Sequence, residues 1–358
     1  MLSAELKESF LAFVRMGIGH GQYSHSNFYS GRQMKKLAEV QGLSAILVDG
    51  LESLPEHKRP PKMMLLQWIG EVLQNYESRY KQYQNAIGSL AAFYNQHGFR
   101  MMVLKGYGLS LNYPKPNHRP CGDIDIWLFG KQKEADTVLA KEKGIEIDNS
   151  HHHHTVFEWK GFSVENHYDF LNVHHHKSNV ELEAILKKLG KDDSHVVVLN
   201  GKKVYLPSPN LHALFLLRHS MSNFASTGFQ LRQLLDWGFF VEKHKKEIDW
   251  NWLEGVLEKY GMKKLYDVFN AICVDNLGFD ATLFHVVQFE PRLKERVLND
   301  ILSPEFSEAE NGGFIRRAIY KYRRWKANAW KHELCFSESM WSAFLSGVKS
   351  HLLKPSSI

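Results

Sequence analysis

The hydrophobic period of the chain changes twice, near residues 99 and 207, and these changes constrain the fold more than any single motif. Before and after them, apolar residues recur every three or four positions, as in amphipathic helices. The intervening segment has short apolar or alternating runs bounded by glycine and proline, which is typical of strands and turns. We therefore predict an α+β fold with an N-terminal helical segment (1–98), a mixed-sheet α/β core (99–207) and a C-terminal helical bundle (208–358).

Two kinds of local signal predict the strands of the core. An apolar run over residues 100–104 and an alternating run over residues 123–128 each predict a strand. The dipeptides Lys160-Gly161 and Asn200-Gly201 lie between further alternating runs. Each predicts a hairpin with a two-residue turn, because these residue types tolerate the positive φ that such turns need.

The composition excludes several classes of protein. Among 358 residues the hydrophobic share is 44% and the charged share 23%, which excludes disordered, collagen-like and coiled-coil chains. Three scattered cysteines are too few for a disulfide framework or a cysteine-based zinc site. The N-terminus is acidic rather than basic and apolar like a signal peptide, and no run approaches the ~18 apolar residues of a membrane span. We expect a cytoplasmic protein.

Two carboxylates at the start of the second predicted strand carry the clearest chemical signal. Asp123 and Asp125 are two positions apart, so both side chains point to the same face of the strand. Adjacent carboxylates repel each other unless they share cations, and oxygen ligands at this spacing suit Mg²⁺ bound jointly with substrate phosphates. Upstream, Gly106 and Gly108 lie in a glycine-rich turn that lets backbone N–H groups approach a phosphate.

A third carboxylate lies on the first predicted hairpin. Alternation along the second strand of this hairpin puts Glu165 and His167 on one face. Glu165 would complete a two-metal site with Asp123 and Asp125. His154 lies on the partner strand of the hairpin, so one or both of His154 and His167 could line an acceptor pocket, although packed or solvated histidines are an equal alternative.

Several blocks of the sequence resemble the uncharacterised bacterial nucleotidyltransferases. The blocks are Leu104-Lys105-Gly106, Tyr113-Pro114, Arg119-Pro120, Gly122-Asp123-Ile124-Asp125, Val164-Glu165-Asn166-His167 and Leu231-Arg232-Gln233-Leu234-Leu235-Asp236-Trp237. The resemblance covers most of the chain and implies a polymerase-β-like nucleotidyltransferase fold with two catalytic Mg²⁺ or Mn²⁺ ions. It also implies a nucleoside triphosphate as substrate, which we expect to bind between the α/β core and the C-terminal helices.

Two-metal chemistry gives each charged residue of these blocks a role. Asp123 and Asp125 would bridge the metals that hold the triphosphate. Glu165 would bind only the catalytic metal and help to lower the pKa of the attacking hydroxyl. Lys105 and Arg119 would neutralise the phosphates, Arg119 as a bidentate clamp. The reaction would transfer a nucleoside monophosphate to a hydroxyl of a small molecule, a sugar or a protein side chain and release pyrophosphate.

One departure from the superfamily pattern lies in the glycine turn. Gly106 is followed by Tyr107, where the superfamily usually has Gly-Ser or Gly-Gly. We expect the turn residues Gly106, Tyr107 and Gly108, together with His167, to contact the nucleotide. Tyr107 could stack on the base or obstruct the phosphate pocket. In the second case the chain would be a non-catalytic nucleotide-binding or interaction module with the same fold.

A basic and aromatic segment over residues 314–332 leaves another alternative open. Lysines, arginines, tyrosines and tryptophans are interleaved at 316–331 without an acid, a pattern that could bind RNA and make the enzyme RNA-directed. A packed amphipathic helix is favoured. The net charge of +6 is also mild for a protein that follows a long phosphate backbone, so a nucleic-acid acceptor is the less favoured one.

Two further features are interpreted as structural. The chain has 20 histidines, four of them at 151–154, but neighbouring residues of a strand alternate faces, so these four cannot all bind one ion. Packing or solvation is therefore favoured over a histidine metal site. Arg232 and Asp236 are one helical turn apart and are expected to form an i, i+4 ion pair.

Overall fold

A six-stranded mixed sheet lies between helices that come from both ends of the chain, as the α+β prediction requires. The structure is a computed structural model and describes residues 2–22, 31–174, 176–226, 228–285, 289–306 and 314–353. Over these ranges, every helix is either too short or too polar to cross a lipid bilayer.

The helices before the sheet include one that is unusually long. They are α1 (Ala4–Gly17), α2 (Gly31–Val40), α3 (Ser44–Glu52), α4 (Lys62–Val72) and α5 (Arg79–Gln96). A π-helical segment, Leu73–Ser78, joins α4 to α5, so residues 62–96 form one continuous helix. This helix ends at Gln96, and Gly98 two residues later has a φ of 76°, the left-handed conformation that commonly follows a helix.

The core alternates strands and helices. Its elements are β1 (Met102–Val103), α6 (Tyr107–Ser110), β2 (Ile124–Trp127), α7 (Gln132–Lys143), β3 (His154–Trp159), β4 (Phe162–His167), α8 (Lys177–Leu189), β5 (Val196–Leu199) and β6 (Lys202–Tyr205). The strand order is β3-β4-β2-β1-β6-β5. Strand β2 runs parallel to β4, and β1 runs parallel to β6, whereas the other neighbours are antiparallel.

Both predicted hairpins are confirmed. Strands β3 and β4 are joined by Lys160 and Gly161, whose φ angles are 50° and 80°. Strands β5 and β6 are joined by Asn200 and Gly201, with φ angles of 50° and 74°. Positive φ at both central residues defines the type I′ turn, which matches the twist of the flanking strands.

Strand β1 is shorter than predicted. Of the run over residues 100–104, only Met102 and Val103 pair as a strand. One more backbone bond follows, from the Leu104 N–H to the Asp125 carbonyl oxygen at 3.0 Å. The chain then turns at Gly106, whose φ of +50° is incompatible with a strand. The turn begins just after β1, beside the start of β2.

Eight helices follow the sheet in the described part of the chain. They are α9 (Pro209–Ala225), α10 (Leu231–His244), α11 (Trp250–Lys259), α12 (Lys263–Asp275), α13 (Pro291–Leu302), α14 (Phe314–Ala327), α15 (Ala329–Cys335) and α16 (Met340–Leu353). Single 3₁₀ turns occur at Glu56–Lys58, Pro116–His118 and Ala281–Leu283.

The two faces of the sheet belong to different hydrophobic clusters. Ile124, Ile126 and Val164 are fully buried on the face that packs against α5 and α7. Met102 and Trp127 belong to the cluster that also contains residues of α1–α3 and α9–α13. Side chains alternate along a strand. Asp125, between Ile124 and Ile126, and Glu165, next to Val164, therefore point toward this second, helix-covered face.

Candidate functional site

The helix-covered face of the sheet forms one wall of a cavity of about 480 Å³. The predicted site residues that line it are Lys105, Gly106, Arg119, Asp123, Asp125 and Glu165. The opposite wall comes from α9, α10 and the segment between them, and its polar residues include His219, Asn223, Gln230, Arg232 and Gln233. Tyr107, Gly108 and His167 were also expected to contact the nucleotide, but they do not line this cavity.

The parallel register of β2 and β4 brings the carboxylates together. Asp125 is the direct ladder partner of Glu165, and Asp123 lies two positions earlier on the same face. Ile124 and Val164 are also ladder partners, and both are fully buried on the opposite face. Because a slip of one residue would expose this apolar pair, packing holds the two strands in the register that joins the carboxylates.

Asp125 is the buried centre of the carboxylate group. Its side chain is 3% exposed, and its Oδ1 atom accepts hydrogen bonds from Lys105 Nζ at 2.8 Å and His167 Nε2 at 3.1 Å. Burial alone would raise the pKa of Asp125, but attraction to Lys105 and the hydrogen bond from His167 outweigh it and hold the pKa well below its usual range. The Asp125 carboxylate is therefore ionised and balanced by two cations.

His167 lies behind the carboxylates rather than on the cavity wall, which corrects its predicted contact with the nucleotide. Its side chain is only 4% exposed, with Nε2 toward Asp125 and Nδ1 at 3.2 Å from the Asp169 carbonyl oxygen. Burial opposes its positive charge, but hydrogen bonds to Asp125 and Glu165 raise the pKa of His167 to about 9. The imidazolium is thus charged at neutral pH and supports both acids.

The other two carboxylates differ in how they are balanced. Glu165 places Oε2 at 3.4 Å from His167 Nε2, and this hydrogen bond more than offsets burial and lowers the pKa of Glu165. Asp123 is exposed and forms no ion pair with the part of the chain that the structure describes. Partial desolvation, followed by repulsion from Asp125, raises the pKa of Asp123. An added cation would relieve this repulsion most directly at Asp123.

Gly106 lets Tyr83 reach the backbone of Asp123. A Cβ atom at Gly106 would lie 2.2 Å from the Tyr83 hydroxyl oxygen, a distance that no side chain tolerates. That hydroxyl donates a hydrogen bond to the Asp123 carbonyl oxygen at 2.8 Å. The glycine therefore has a structural reason besides the approach to phosphate on which the sequence interpretation relied.

The prediction that Tyr107 lies in the pocket is wrong. Helix α6 begins at Tyr107 and directs the ring into the cluster on the other face of the sheet, where it is 5% exposed and lies 6.2 Å from the Tyr80 ring. Its hydroxyl is hydrogen-bonded to Gln84. Gly108 is buried too, and a Cβ atom there would meet Leu206 rather than the cavity.

Arg119 lines the cavity, but two of its guanidinium nitrogens are bound by a carboxylate of the C-terminal helices, so its role as a phosphate clamp stays a prediction. Its Nε and Nη2 atoms donate to the two carboxylate oxygens of Asp236 at 2.7 and 2.9 Å. Tyr113 donates to the same carboxylate at 2.8 Å. The Arg119 side chain is 9% exposed, and burial opposes its charge, but attraction to Asp236 raises the pKa of the guanidinium.

Arg232 is the arginine that the sequence interpretation paired incorrectly. Asp236 pairs with Arg119 and not with Arg232, so the expected i, i+4 ion pair is absent from the described residues. Arg232 lines the cavity, and its Nε is buried with no hydrogen-bond partner in the described ranges. Burial, followed by repulsion from Arg119, lowers the pKa of Arg232. Arg232 lies in the Leu231–Trp237 block that resembles the family, and this was the sequence signal that could have marked it as a site residue.

Three histidines lie beside the carboxylates. His154 begins β3 and pairs in register with His167, and His153 precedes the strand. Burial lowers the pKa of His153 to about 2 and that of His154 to about 4, so both are neutral. The expectation that strand alternation separates neighbouring histidines does not apply here, because within residues 151–154 only His154 belongs to the strand.

A second cavity of about 960 Å³ adjoins the first. His219 and Asn223 of α9 line both, and Asn223 Nδ2 lies 3.1 Å from His219 Nε2. Aromatic and imidazole side chains dominate the rest of its lining, among them His153, Phe170, Tyr322, Trp325, Trp341 and Phe344. The second cavity therefore extends from His153, next to the sheet, to α14 and α16.

The basic and aromatic segment divides between two environments. Lys331 is buried and pairs with Asp300 at 2.6 Å, and the Arg296 guanidinium stacks 3.9 Å from the centre of the Trp330 ring. This part packs as the amphipathic-helix interpretation expects. In α14, the residues that line the second cavity are Lys321, Tyr322, Arg324 and Trp325.

Comparison with known proteins gives one family. A family model described as "uncharacterised nucleotidyltransferase" matches residues 32–278, a range that contains the whole sheet and both walls of the first cavity near the carboxylates. A solved structure, that of an antigenic nucleotidyltransferase-like protein from Paracoccidioides brasiliensis, is similar over 57% of this chain and 98% of that chain, with 15% identity and a TM-score of 0.37. No curated protein matches the chain.

Proposed function

The chain belongs to the family of uncharacterised nucleotidyltransferases, and on that premise we propose that it transfers a nucleoside monophosphate from a nucleoside triphosphate to a hydroxyl and releases pyrophosphate. The acceptor hydroxyl would belong to a small molecule, a sugar or a protein side chain. One observation carries the proposal: Asp125 and Glu165 are ladder partners on a cavity wall that also contains Asp123. Three carboxylates on one wall suit a metal-bound triphosphate.

The carboxylate wall fits divalent ions such as Mg²⁺ or Mn²⁺. Its donors are oxygens, which these ions prefer, and a cation would relieve the repulsion that acts on Asp123. Asp123 and Asp125 would hold the ions together with the triphosphate, and Glu165 would hold the ion nearest the acceptor. Such ions neutralise developing charge on the phosphates and lower the pKa of the acceptor hydroxyl.

Lys105 is placed to change partners when the nucleotide binds. Its ammonium now neutralises Asp125 at a distance of 2.8 Å. Once another cation balances that carboxylate, Lys105 becomes available to the oxygens of the leaving pyrophosphate, on the same cavity wall. This keeps the predicted phosphate role of Lys105 and adds a second role, which is to stabilise the site without ligand.

The role of phosphate clamp passes from Arg119 to Arg232. Both arginines line the cavity, but the Nε and Nη2 atoms of Arg119 are bound to Asp236, and its Nη1 atom donates to the Pro120 carbonyl oxygen at 3.3 Å. Arg232 has a buried Nε without a partner in the described ranges. A buried guanidinium N–H without a hydrogen-bond partner costs free energy, and bidentate bonds to a phosphate would remove that cost. Arg119 then positions Asp236 and α10, on which Arg232 lies.

The second cavity is the proposed acceptor site. It shares His219 and Asn223 with the first cavity and has twice its volume, so a bound acceptor can present a hydroxyl past these two side chains. Its aromatic lining suits an acceptor with an apolar or sugar ring. In the transfer, the hydroxyl oxygen would bond to the α-phosphorus, the bridging bond between the α- and β-phosphates would break, and pyrophosphate would leave.

The non-catalytic alternative loses its main support. It required Tyr107 to fill the phosphate pocket, but that ring packs in the hydrophobic cluster on the opposite face of the sheet. The cavity beside the carboxylates keeps a volume of about 480 Å³, which is in the range of small-ligand sites.

The direct test combines nucleotide binding with pyrophosphate release. The purified chain is titrated with ATP, CTP, GTP and UTP in the presence of Mg²⁺ or Mn²⁺, and pyrophosphate is measured with pooled hydroxyl acceptors. We expect at least one nucleotide to bind and turn over. Asp125→Asn should reduce turnover by roughly 10²–10³-fold or more, because it removes the charge at the centre of the metal wall.

Glu158→Gln is the matched control. Glu158 is an exposed acid on β3 of the same sheet and does not line either cavity, so its replacement should leave binding and turnover unchanged. Failure of all four nucleotides to bind with either metal would refute the proposal. Equal turnover of the Asp125→Asn and wild-type proteins would refute the metal-site assignment.

A further inference from the structure

His153, His154 and His167 form a compact imidazole group at the edge of the carboxylate wall. Their ring centres lie 4.4 Å apart for His153 and His154, 5.2 Å for His154 and His167, and 5.6 Å for His153 and His167. One ring nitrogen of each lies within 4.8 Å of a nitrogen of the other two. No step of the proposed transfer uses His153 or His154.

The backbone holds the two additional histidines firmly. His154 is the ladder partner of His167 across β3 and β4. The His153 carbonyl oxygen accepts hydrogen bonds from the backbone N–H groups of Tyr168 at 3.1 Å and Asp169 at 3.2 Å. The sheet and the turn after β4 therefore fix the positions from which all three rings project.

Two ring nitrogens in this group make no hydrogen bond with the part of the chain that the structure describes. The Nδ1 atoms of His153 and His154 are buried, and within the described ranges neither makes a hydrogen bond. A buried polar nitrogen without a partner is costly and uncommon, so two adjacent ones call for a ligand. Glu165 Oε2 lies 4.0 Å from His154 Nδ1, which is too far for a hydrogen bond but suitable for sharing a cation.

We propose that His153, His154 and His167, with Glu165 at their side, bind a transition-metal ion such as Zn²⁺ or Co²⁺, next to the oxygen site of Asp123 and Asp125. Neutral imidazoles select these borderline ions, whereas Mg²⁺ prefers oxygen ligands. His153 and His154 are already neutral, and the ion would displace the proton that His167 Nε2 shares with Asp125 and Glu165. Nitrogen ligands of tetrahedral zinc lie roughly 3.3 Å apart, given Zn–N bonds of about 2.0–2.1 Å. The three ring nitrogens lie within 4.8 Å of one another, so the rings would move closer together when the ion binds.

This site would serve the acceptor side of the reaction. His153 lines the second cavity, and Glu165 lines the first, so an ion between them contacts both. A hydroxyl bound to such an ion ionises more easily. This catalytic role rests on the proposed transferase function, whereas binding of the ion does not.

The test uses the full chain after removal of metals by a chelator. Co²⁺ is titrated into the protein, and its visible absorption reports the number and type of ligands; Zn²⁺ should then displace it. We expect one Co²⁺ per chain with nitrogen ligands. His153→Ala/His154→Ala should weaken Co²⁺ binding at least tenfold. His154→Gln, which nearly preserves the side-chain volume, should weaken it in the same direction if the double variant folds poorly.

The matched control removes two other histidines of the same region. His152→Ala/His174→Ala, whose rings lie 4.8 Å apart outside the group, should keep wild-type Co²⁺ affinity. Absence of Co²⁺ and Zn²⁺ binding, or equal loss in both double variants, would overturn the site. If the chain takes up Co²⁺ but transfers no nucleotide, the histidine metal site is supported and the transferase function is refuted. If it transfers nucleotide with Mg²⁺ but takes up no Co²⁺, the transferase function is supported and the histidine metal site is refuted.

Discussion

The two charged walls of the cavity differ in how completely their charges are paired. On the helix side, Arg119 and Asp236 form a bidentate pair in which both carboxylate oxygens are bound. On the sheet side, Asp125 pairs with Lys105 and with His167, which also contacts Glu165, and Asp123 has no ion-pair partner in the described ranges. Removing one partner of a closed, buried pair destabilises the fold, and the paired groups offer little to a ligand, whereas an unbalanced group gains most when a ligand arrives.

The same contrast separates two arginines of the cavity. Arg119 has its preferred carboxylate partner, and Arg232 has a buried Nε without one in the described part of the chain. The closed pair should therefore matter mainly for stability and the open arginine mainly for binding. Substitutions at the two positions test this division because the two effects can be measured separately.

The largest effect is expected on the free energy of unfolding when Arg119 is removed from its ion pair with Asp236. Arg119→Ala leaves the buried Asp236 carboxylate without its cation, which typically costs about 3–5 kcal/mol of the free energy of unfolding. Denaturant unfolding followed by circular dichroism measures this loss. If the variant loses less than about 1 kcal/mol but binds nucleotide far more weakly, Arg119 is a ligand-binding residue and the contrast between the walls is wrong.

A double substitution separates charge from packing. Arg119→Met/Asp236→Leu replaces both partners by apolar side chains of similar size and should recover much of the stability lost in Arg119→Ala, because no unpaired charge remains. Tyr113 keeps its acceptor in Arg119→Ala but loses it in the double variant, so Asp236→Leu alone, which loses the same hydrogen bond, is measured as a second reference. A double variant as unstable as Arg119→Ala would mean that packing, and not charge, sets the loss.

The next effect is expected at the open arginine. Arg232→Ala should weaken nucleotide binding by about 10- to 100-fold, which corresponds to about 1.4–2.8 kcal/mol. The free energy of unfolding should stay constant or rise, because the variant removes a desolvated charge. Calorimetric titration and denaturant unfolding measure the two quantities.

Arg292→Ala is the control for Arg232→Ala. Arg292 is exposed on α13 and does not line either cavity, so both quantities should match those of the wild type. If Arg232→Ala destabilises the fold and leaves nucleotide affinity unchanged, the open arginine is structural, and the phosphate clamp lies elsewhere.

Local rules predicted much of the sheet and its carboxylates. The Lys160-Gly161 turn fixes the register of β3 and β4, and alternation then places Glu165 on the same face as Asp125. The parallel pairing of β2 and β4 is not local, but two buried apolar residues on the opposite face favour the register that joins the acids. For this reason the pattern of residue types was sufficient to predict that Asp123, Asp125 and Glu165 lie together.

Contacts between distant elements escaped these rules. Arg119 and Asp236 are 117 residues apart, and nothing in the helical spacing of Arg232 and Asp236 shows that a better placed arginine takes the carboxylate. The histidines were misinterpreted for a different reason. His153 precedes β3, so the alternation rule, which holds only within a strand, does not separate it from His154.

The smallest effect is expected at Tyr107, where the sequence interpretation and the structure disagree. Tyr107→Leu keeps most of the apolar volume in the cluster but removes the hydrogen bond to Gln84, so we expect a loss of about 1–2 kcal/mol in the free energy of unfolding. Nucleotide affinity should stay within about twofold of the wild type, as measured by calorimetric titration. If Tyr107 obstructed the phosphates, the substitution would tighten binding, and if the ring stacked on the base, it would weaken binding. Because the two rejected roles shift the affinity in opposite directions, an unchanged affinity supports the buried position, and the direction of any change identifies which role applies.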